Sequence, residues 1–550
     1  MKKSKNVLLG LLLVATLGFV SFQNDDRFFE IAKNLDIYTT MFKELNSYYV
    51  DEINPNRLIK KSIEATLKNL DPFTNFYAED DIEDYRTMTT GTYNGIGALV
   101  GPRNGKFTVF MVFENTPAEK AGLRLGDEII KIDGVDITTR KDSDPGKLLK
   151  GQNNTNARLA VKRYGTKDLI ELNIARDVVK STNVPYFGMI TDEVGYIDLK
   201  DFTATASREV KNAYNELKTK GMKKLILDVR DNPGGLLNMA IDISNVFIAK
   251  DAEIVSTKGK IADWNKTYNA LNPALDTEMP ISVLTSSNSA SAAEIVSGVI
   301  QDYDRGVLIG QRTYGKGLVQ TTRDLSYGTK LKITVAKYYI PSGRCIQAID
   351  YSHRNADGSV GKIADSLKTA FKTKNGRTVY DGGGVDPDIV TDVRVPSQVT
   401  KALINKYLLF DYAVKYRSEH PTIKPAREFA LTDAEYLDFA NWTKDKEYDY
   451  VTQVEKDLNA LEASAKREKY MDAIADQLKA LRTKLSHSKD ADLITFKREI
   501  KELLEQEIVT HFYLQKGAKE ASFAADNEMK AALDLFKDMP KYQSILKKNK

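Results

Sequence analysis

The sequence is poor in the residues that build disulfides, metal centres and histidine-dependent active sites. It has a single cysteine, Cys345, among 550 residues, so an internal disulfide and a cluster of thiolate metal ligands are both excluded. A Ser-His-Asp triad needs a histidine beside its serine. Of the four histidines only His353 falls in the region where strands and helices alternate, within a polar segment that we predict to be a loop.

A strong excess of one charge is also missing. The formal net charge is +4, which on so long a chain does not indicate a nucleic-acid partner. Charged residues make up 28% of the sequence and hydrophobic residues 42%, as in ordinary globular proteins. The length leaves room for roughly three or four domains.

The N-terminus carries a targeting pattern. Lys2, Lys3 and Lys5 precede an apolar run over residues 7–22. We predict a secretory signal peptide or a membrane anchor over residues 1–22. No small-x-small cleavage site follows the run, so uncleaved anchoring stays open. The remainder of the chain is therefore expected outside the cytoplasm, in the periplasm of a bacterium or anchored facing it.

Four further regions follow. We predict an N-terminal helical segment over 23–90, a β-rich module over 91–176, an α/β core over 177–395 and a charged helical domain over 396–550. In the last region Thr432 and Glu435 form a capping box. Its apolar residues at helical spacing predict one buried helix face: Met471, Ile474, Leu478, Leu481 and Leu485.

A turn rich in hydroxyl groups stands between a predicted strand and a predicted helix, in "SSNSASAAEIVSGVI" (286–300). Ser291 and Glu294 fit a capping box, which is the common use of such residues. Ser291 could instead be a nucleophile, exposed at the end of a strand beside free amides of a helix start. The second interpretation requires a base.

Lys316, between Gly315 and Gly317, is the candidate base. A lysine acts as a base only if its pKa falls from about 10.4 towards neutrality. A solvated turn is the alternative interpretation of this glycine-flanked lysine. The segment also matches the start of a nucleotide-binding P-loop, but Gly317 stands where that motif has Ser or Thr, and strands are predicted to follow.

A third element is "LILDVRDNPGG" (225–235). Its paired glycines, Gly234 and Gly235, follow a predicted buried strand. They would allow backbone amides to approach a ligand closely, as an oxyanion hole requires. A sharp turn explains the same composition equally well.

Together and in this order, these elements resemble the C-terminal processing peptidases, or tail-specific proteases. The resemblance implies that Ser291 is the nucleophile, Lys316 the base and Gln320 the residue that orients the lysine. It places the oxyanion hole at Ala292 with Gly234 or Gly235. Ala293 stands where the family has a second serine.

"YNGIGALV" is similar to the carboxylate-binding loop of a PDZ domain, which implies that Gly95, Ile96, Gly97 and Ala98 bind substrate. The resemblance implies a multidomain α/β protein with a crotonase/ClpP-like protease core, a β-rich PDZ domain over 91–176 and flanking α-helical segments. The implied function is that of an exported serine endopeptidase acting on proteins or peptides with free C-termini. No metal, organic cofactor or nucleic acid is implied. A membrane tether through residues 7–22 and homo-oligomer formation stay open.

Two other functional classes remain at this stage. A PDZ scaffold without activity would bind protein tails only, against which the intact Ser291, Lys316 and Gln320 argue. Acyl-CoA chemistry suits a crotonase-like core but not a PDZ module or export.

Overall fold

The computed structural model describes residues 27–138, 145–355, 357–485 and 489–547. The predicted signal or anchor over 1–22 lies outside these residues. They form two compact units. The first comprises the chain up to Glu79 together with Thr322–Ile333, and the second comprises Asp80–Thr321 with the chain from Thr334 onward.

The first unit is built mainly from helices, and residues 80–90 of the segment predicted over 23–90 belong to the second unit. Helix α1 covers residues 27–48, helix α2 covers Pro55–Lys68, and strand β1 covers Asn75–Tyr77. Asn54 caps α2 by accepting a hydrogen bond from the Arg57 amide at 2.9 Å. β1 pairs antiparallel with residues 330–332.

The second unit begins with the β-rich module. Its elements are α3 (Ile82–Thr90), β2 (Thr92–Gly95), β3 (Ala98–Arg103), β4 (Lys106–Val112), α4 (Pro117–Lys120), β5 (Glu128–Ile132), β6 (Val135–Asp136), α5 (Pro145–Leu149), β7 (Asn156–Lys162), β8 (Ile170–Ala175) and β9 (Asp177–Lys180). The main sheet is antiparallel in the order β3-β4-β5-β7-β8, with β6 beside β5. β2 and β9 form a separate antiparallel pair where the chain enters and leaves the module.

The α/β region follows. Its elements are β10 (Tyr186–Met189), β11 (Val194–Asp198), α6 (Ala206–Thr219), β12 (Lys224–Asp228), α7 (Leu237–Phe247), β13 (Glu253–Gly259), β14 (Lys266–Asn269), β15 (Ile281–Thr285), α8 (Ala292–Asp302), β16 (Val307–Gly310), β17 (Leu318–Asp324), β18 (Lys330–Tyr339), β19 (Ile349–Arg354), β20 (Val360–Lys362), β21 (Ala370–Lys372), β22 (Thr378–Tyr380) and β23 (Ile389–Val390).

The central sheet has the order β10-β11-β12-β15-β16-β23 and is parallel except for β10. The inner strands β11, β15 and β16 are buried along their whole length, which explains their continuous apolar runs. Helices α6, α7 and α8 pack on one face. Beside this sheet, residues 336–339 of β18 pair with β13.

The C-terminal region is helical, as predicted. It contains α9 (Gln398–Asn405), α10 (Leu408–Glu419), α11 (Asp433–Trp442), α12 (Gln453–Arg467), α13 (Met471–Leu485), α14 (Lys489–Thr495), α15 (Lys497–Ser522), α16 (Asn527–Lys537) and α17 (Met539–Ile545). The capping box at Thr432 is confirmed, because Glu435 Oε2 accepts the Thr432 amide at 2.6 Å and the Glu435 amide donates to Thr432 Oγ1 at 3.2 Å.

The buried face predicted for α13 is only partly right. Leu478 is buried, whereas Leu481 is 45% exposed. The helix packs against α12, and Met471, Ile474 and Leu485 are half-buried.

The packing of the central sheet crosses the predicted boundary at 395/396. Its second face, with Ile226, Leu284 and Ile309, is covered by Leu535 and Phe536 of α16 and by Tyr542 of α17. Residues from the C-terminal region thus form the third layer of the α/β core. In the ranges that the structure describes, no helix is both long and apolar enough to cross a membrane.

Candidate active site

Three loops leave the carboxyl ends of neighbouring parallel strands. β12 leads into 229–235, β15 into 286–291 and β16 into 311–317. The carboxyl ends of adjacent parallel strands share one edge of the sheet, where ligands of open α/β sheets bind. The three motifs that the sequence singled out therefore meet at one edge.

Ser291 occupies the most strained position of its loop. It precedes α8 with φ 54° and ψ −113°, a combination that residues with a side chain rarely adopt. Its side chain is half-buried. A serine on a strained turn between a strand and a helix is the arrangement in which hydrolases present a nucleophilic hydroxyl.

The other hydroxyl groups of this turn hold the loop together. Ser289 Oγ donates to the Val229 carbonyl at 2.7 Å and accepts the Ser286 amide at 2.9 Å. Ser286 Oγ accepts the Asp231 amide at 3.0 Å. These two serines tie the Ser291 loop to the loop after β12.

Glu294 links Ser291 to the lysine loop. Its carboxylate is fully buried and accepts the amides of Ser291 at 2.8 Å, Gly315 at 2.7 Å and Lys316 at 2.9 Å, and the Thr313 hydroxyl at 2.5 Å. Burial raises the pKa of Glu294 to about 7, although these four hydrogen bonds favour the ionised form. The capping role predicted from sequence is only one part of what this side chain does.

Tyr338 contacts the backbone carbonyls of Ser291 and Lys316. Its fully buried hydroxyl donates to the Lys316 carbonyl at 2.6 Å and lies 3.2 Å from the Ser291 carbonyl. Burial raises the pKa of this phenol well above its usual value, so it stays a donor. Tyr338 is not among the residues predicted from the sequence, because nothing in its local pattern separates it from other buried strand residues.

The glycines around Lys316 allow close packing, as expected from the sequence. A Cβ on Gly315, whose φ is +87°, would lie 2.3 Å from the Ala348 Cβ. The Gly317 amide donates to Gln347 Oε1 at 2.7 Å. Lys316 itself is half-buried.

Gln320 is placed four residues beyond Lys316, on β17. Its side-chain amide donates to Thr334 Oγ1 at 3.2 Å. Its orienting role towards Lys316 stays a prediction.

The two glycines of the predicted oxyanion hole differ in their hydrogen bonds. A Cβ on Gly234 would lie 2.8 Å from the Ser291 Cβ, so this turn packs directly on Ser291. The Gly234 amide, however, donates to Asn232 Oδ1 at 2.8 Å. Among residues whose placement is described, the amides of Gly235 and Ala292 have no protein acceptor. These two are therefore the amides available for an oxyanion.

The nucleotide-binding alternative does not fit the loop at 310–317. A P-loop leads into a helix and offers its amides to phosphate, whereas here β17 follows and Glu294 occupies the amides of Gly315 and Lys316. His353, the histidine of the triad alternative, is exposed on β19 and its Nδ1 lies 2.6 Å from Asp350.

The predicted carboxylate-binding loop leads into an edge strand. The carbonyls of Ile96 and Gly97 accept the amides of Ala118 at 2.8 Å and Phe113 at 3.0 Å. Gly97 has φ +84°, and a Cβ there would lie 2.3 Å from the Thr116 Cβ. Within the described ranges no protein acceptor takes the amides of Ile96 and Gly97.

β3, which begins at Ala98, pairs only with β4 in the main sheet and leaves its other edge open beside α5. Gly95, which directly precedes Ile96, pairs with Asp177 in the two-stranded ribbon of β2 and β9. Free amides next to an open strand edge are what a peptide C-terminus needs for strand addition.

Family models match three parts of the chain. A model described as "Peptidase family S41" matches residues 193–352, one described as "PDZ domain" matches 94–174, and one described as "Probable PDZ-protease, C-terminal helical domain" matches 399–536.

Similar proteins carry consistent names. The chain is 33% identical to a carboxy-terminal-processing protease of Bartonella bacilliformis over 62% of this chain and 79% of that protein. It is 34% identical to a probable CtpA-like serine protease of Staphylococcus aureus over 57% of this chain and 62% of that protein. A solved photosystem II D1 C-terminal processing protease shares 25% identity, covers 64% of this chain and 86% of its own, and superposes with a TM-score of 0.36.

Proposed function

The chain belongs to peptidase family S41 as a carboxy-terminal processing serine protease with a PDZ domain, and from this premise we propose that Ser291 and Lys316 form its catalytic dyad. The observation that carries the proposal is that two side chains each contact the backbone of both residues. Glu294 binds the amides of both, and the Tyr338 hydroxyl reaches the carbonyls of both. Hydrogen bonds of this kind, from buried side chains to the backbone of reacting residues, hold the reacting groups in one geometry.

The proposed reaction proceeds through an acyl-enzyme. The neutral Lys316 Nζ accepts the Ser291 Oγ proton while Oγ bonds to the scissile carbonyl carbon. The amides of Gly235 and Ala292 stabilise the resulting oxyanion. As the carbon–nitrogen bond breaks, the Lys316 ammonium returns its proton to the leaving amine. Water, deprotonated by the same lysine, then attacks the ester carbonyl carbon, and the lysine returns this proton to Ser291 Oγ as the carbon–oxygen bond breaks. Gln320 orients the lysine.

Substrate selection is proposed to begin at the PDZ domain. The terminal carboxylate of a substrate would bind the amides of Ile96 and Gly97 within the loop at residues 95–98, and its last residues would add to the open edge of β3. Proteins and peptides with free, unstructured C-termini are then the substrates.

The core fold and the location of the protein complete the proposal. The layered parallel sheet is compatible with a crotonase/ClpP-like core. The basic residues and the apolar run at 7–22 support export, with the catalytic parts in the periplasm, released or tethered to the membrane.

The decisive test is Ser291→Ala with Ser287→Ala as the matched control. Ser287 lies exposed in the same turn. We expect Ser291→Ala to abolish cleavage of an unfolded protein with an apolar C-terminus, read by mass spectrometry, while Ser287→Ala cleaves normally. Loss of a cap alone would cost about 0.5–2 kcal/mol of stability and leave the folded fraction active. Normal turnover by folded Ser291→Ala would remove the nucleophile assignment. Binding without cleavage by the wild-type chain would favour a scaffold.

A further inference from the structure

Glu528, in the first turn of α16, reaches the starts of two of the loops at the candidate active site. Its Oε2 lies 3.1 Å from Arg230 Nη1. Its Oε1 accepts Gln311 Nε2 at 2.9 Å and the Thr391 hydroxyl at 2.7 Å. One carboxylate from the C-terminal region thus joins the chain just after β12 to the chain just after β16.

Arg230 stands directly before the oxyanion turn. Asp228 binds its guanidinium from the strand side at 2.6 Å, and Asp526 binds it through both carboxylate oxygens at 2.6 and 2.9 Å. The next residue, Asp231, is fixed to Ser286 of the nucleophile loop. The position of the Arg230 guanidinium therefore affects the position of the turn that contains Gly235, because only a few residues of backbone separate the two.

Gln311 opens the lysine loop. Its amide donates to the Thr285 carbonyl at 3.0 Å, and its carbonyl accepts the Thr285 hydroxyl at 2.9 Å. Two residues later Thr313 binds Glu294, and Lys316 follows. The hydrogen bonds of the Gln311 side chain, in contrast, go to Glu528 and Thr391, which both lie outside this loop.

The link is shielded from water. The side chains of Arg230 and Glu528 are only 15% and 14% exposed. Charge-assisted hydrogen bonds in such surroundings are about twice as strong as neutral ones. Burial opposes ionisation, but the hydrogen bonds from Thr391 and Gln311 hold the pKa of Glu528 below its usual value. The carboxylate therefore stays charged at neutral pH.

We propose that Glu528 is a positioning residue of the peptidase, because it ties Arg230 to Gln311 and so sets the oxyanion turn and the lysine loop relative to each other. The inference rests on the proposed catalytic roles of Gly235 and Lys316. It gives the C-terminal helical region a part in catalysis. Alignment of these groups stabilises the transition state and not the bound substrate, so its loss should lower kcat and leave KM unchanged.

The test compares Glu528→Gln with Glu499→Gln, at a second carboxylate of the same helical region. Glu499 lines the same cavity as Arg230 and Glu528, but it accepts the Ser397 amide at 2.9 Å and its hydroxyl at 3.1 Å, and Ser397 precedes α9 outside the three loops. Misplacing a catalytic group by about 1 Å can cost about 100-fold, so we expect Glu528→Gln to lower kcat by about 10- to 100-fold with KM within about twofold. Glu499→Gln should keep both constants.

Gln311→Ala provides a second variant that cuts the same link from the core side. If the link is the cause, it should lower kcat like Glu528→Gln, and the double variant should lose no more than either single variant. Unchanged kcat in folded Glu528→Gln or Gln311→Ala, additive losses, or a rise in KM alone would overturn the positioning role.

Labelling with a serine-reactive phosphonate separates this inference from the proposed function. If Ser291 of the wild-type chain is not labelled, the assignment of Ser291 as the nucleophile is wrong, and the proposed function fails with it. Rapid labelling of the wild type with equally rapid labelling of Glu528→Gln would remove only the role of Glu528. Slower labelling of Glu528→Gln than of Glu499→Gln supports the inference.

Discussion

Lys316 enters the site on a backbone that buried side chains fix on both sides. Its amide is bound by Glu294 and its carbonyl by Tyr338. Neither contact involves the side-chain amine, so a substitution of the side chain can leave both in place. The chemistry of residue 316 can therefore be tested separately from its position.

We expect Lys316→Arg to be as inactive as Lys316→Ala. Arginine keeps the positive charge but does not lose its proton at any working pH, so it cannot act as a base. The measurement is kcat/KM on an unfolded substrate, with thermal unfolding to verify that both variants fold. If the Lys316→Arg variant retained much of the wild-type rate, the lysine would be an electrostatic contact and the base would have to be another group.

The sequence indicates the two residues of the proposed dyad, but it does not indicate which side chains hold their backbone in place. Ser291 and Lys316 stand in motifs that are readable along the chain. Glu294 is recognisable only as a cap, because its other partners lie 19 to 22 positions downstream. The occupied amide of Gly234 depends on the rotamer of Asn232, which no local pattern gives.

Strand β3 is the element on which the proposed substrate selection depends. It combines an open edge with the amides of Ile96 and Gly97, which have no protein acceptor among the described residues. Gly97 can approach Thr116 only because it has no side chain. The apolar runs predict the strands well. They do not reveal that β2 and β9 leave the main sheet to form a separate ribbon, because strand pairing is a long-range property.

We expect amidation of a substrate's C-terminus to lower kcat/KM mainly through a higher KM. The amide removes the charge that the loop at 95–98 would bind, while the scissile bond is unchanged. The comparison uses one unfolded protein with a free or an amidated C-terminus. A short peptide substrate without a tail segment serves as the control for the catalytic step. Equal kcat/KM for the two tails would show that selectivity lies elsewhere.

At the scale of the whole molecule, the central sheet is completed by helices from the far end of the chain. Leu535 and Phe536 of α16 and Tyr542 of α17 are buried against strands that precede them by more than 200 residues in sequence. Composition identifies 396–550 as helical. It cannot show which of these helices cover the sheet, because an amphipathic face does not specify its partner.

Phe536→Ala should therefore destabilise the sheet itself. Replacing a buried phenylalanine by alanine costs about 3–5 kcal/mol. Hydrogen exchange is the suitable measurement, because it reports on the strands β12, β15 and β16 separately from the helices of residues 396–550. We expect faster exchange in these strands, and no change for Val454→Ala, which alters a half-exposed residue of α12. If exchange changed only within residues 396–550, these helices would form an independent domain.

The contribution of α16 and α17 also sets an order of events during biosynthesis. Every strand of the sheet is made before these helices, so a growing chain carries a half-covered sheet until residues 527–545 have been added. Its apolar face is open during that interval, when chaperones are most needed. Glu528 arrives in the same stretch. Under the positioning role proposed for Glu528, the loops after β12 and β16 are held together only once residue 528 has been added, so peptidase activity follows the sheet in this order of synthesis.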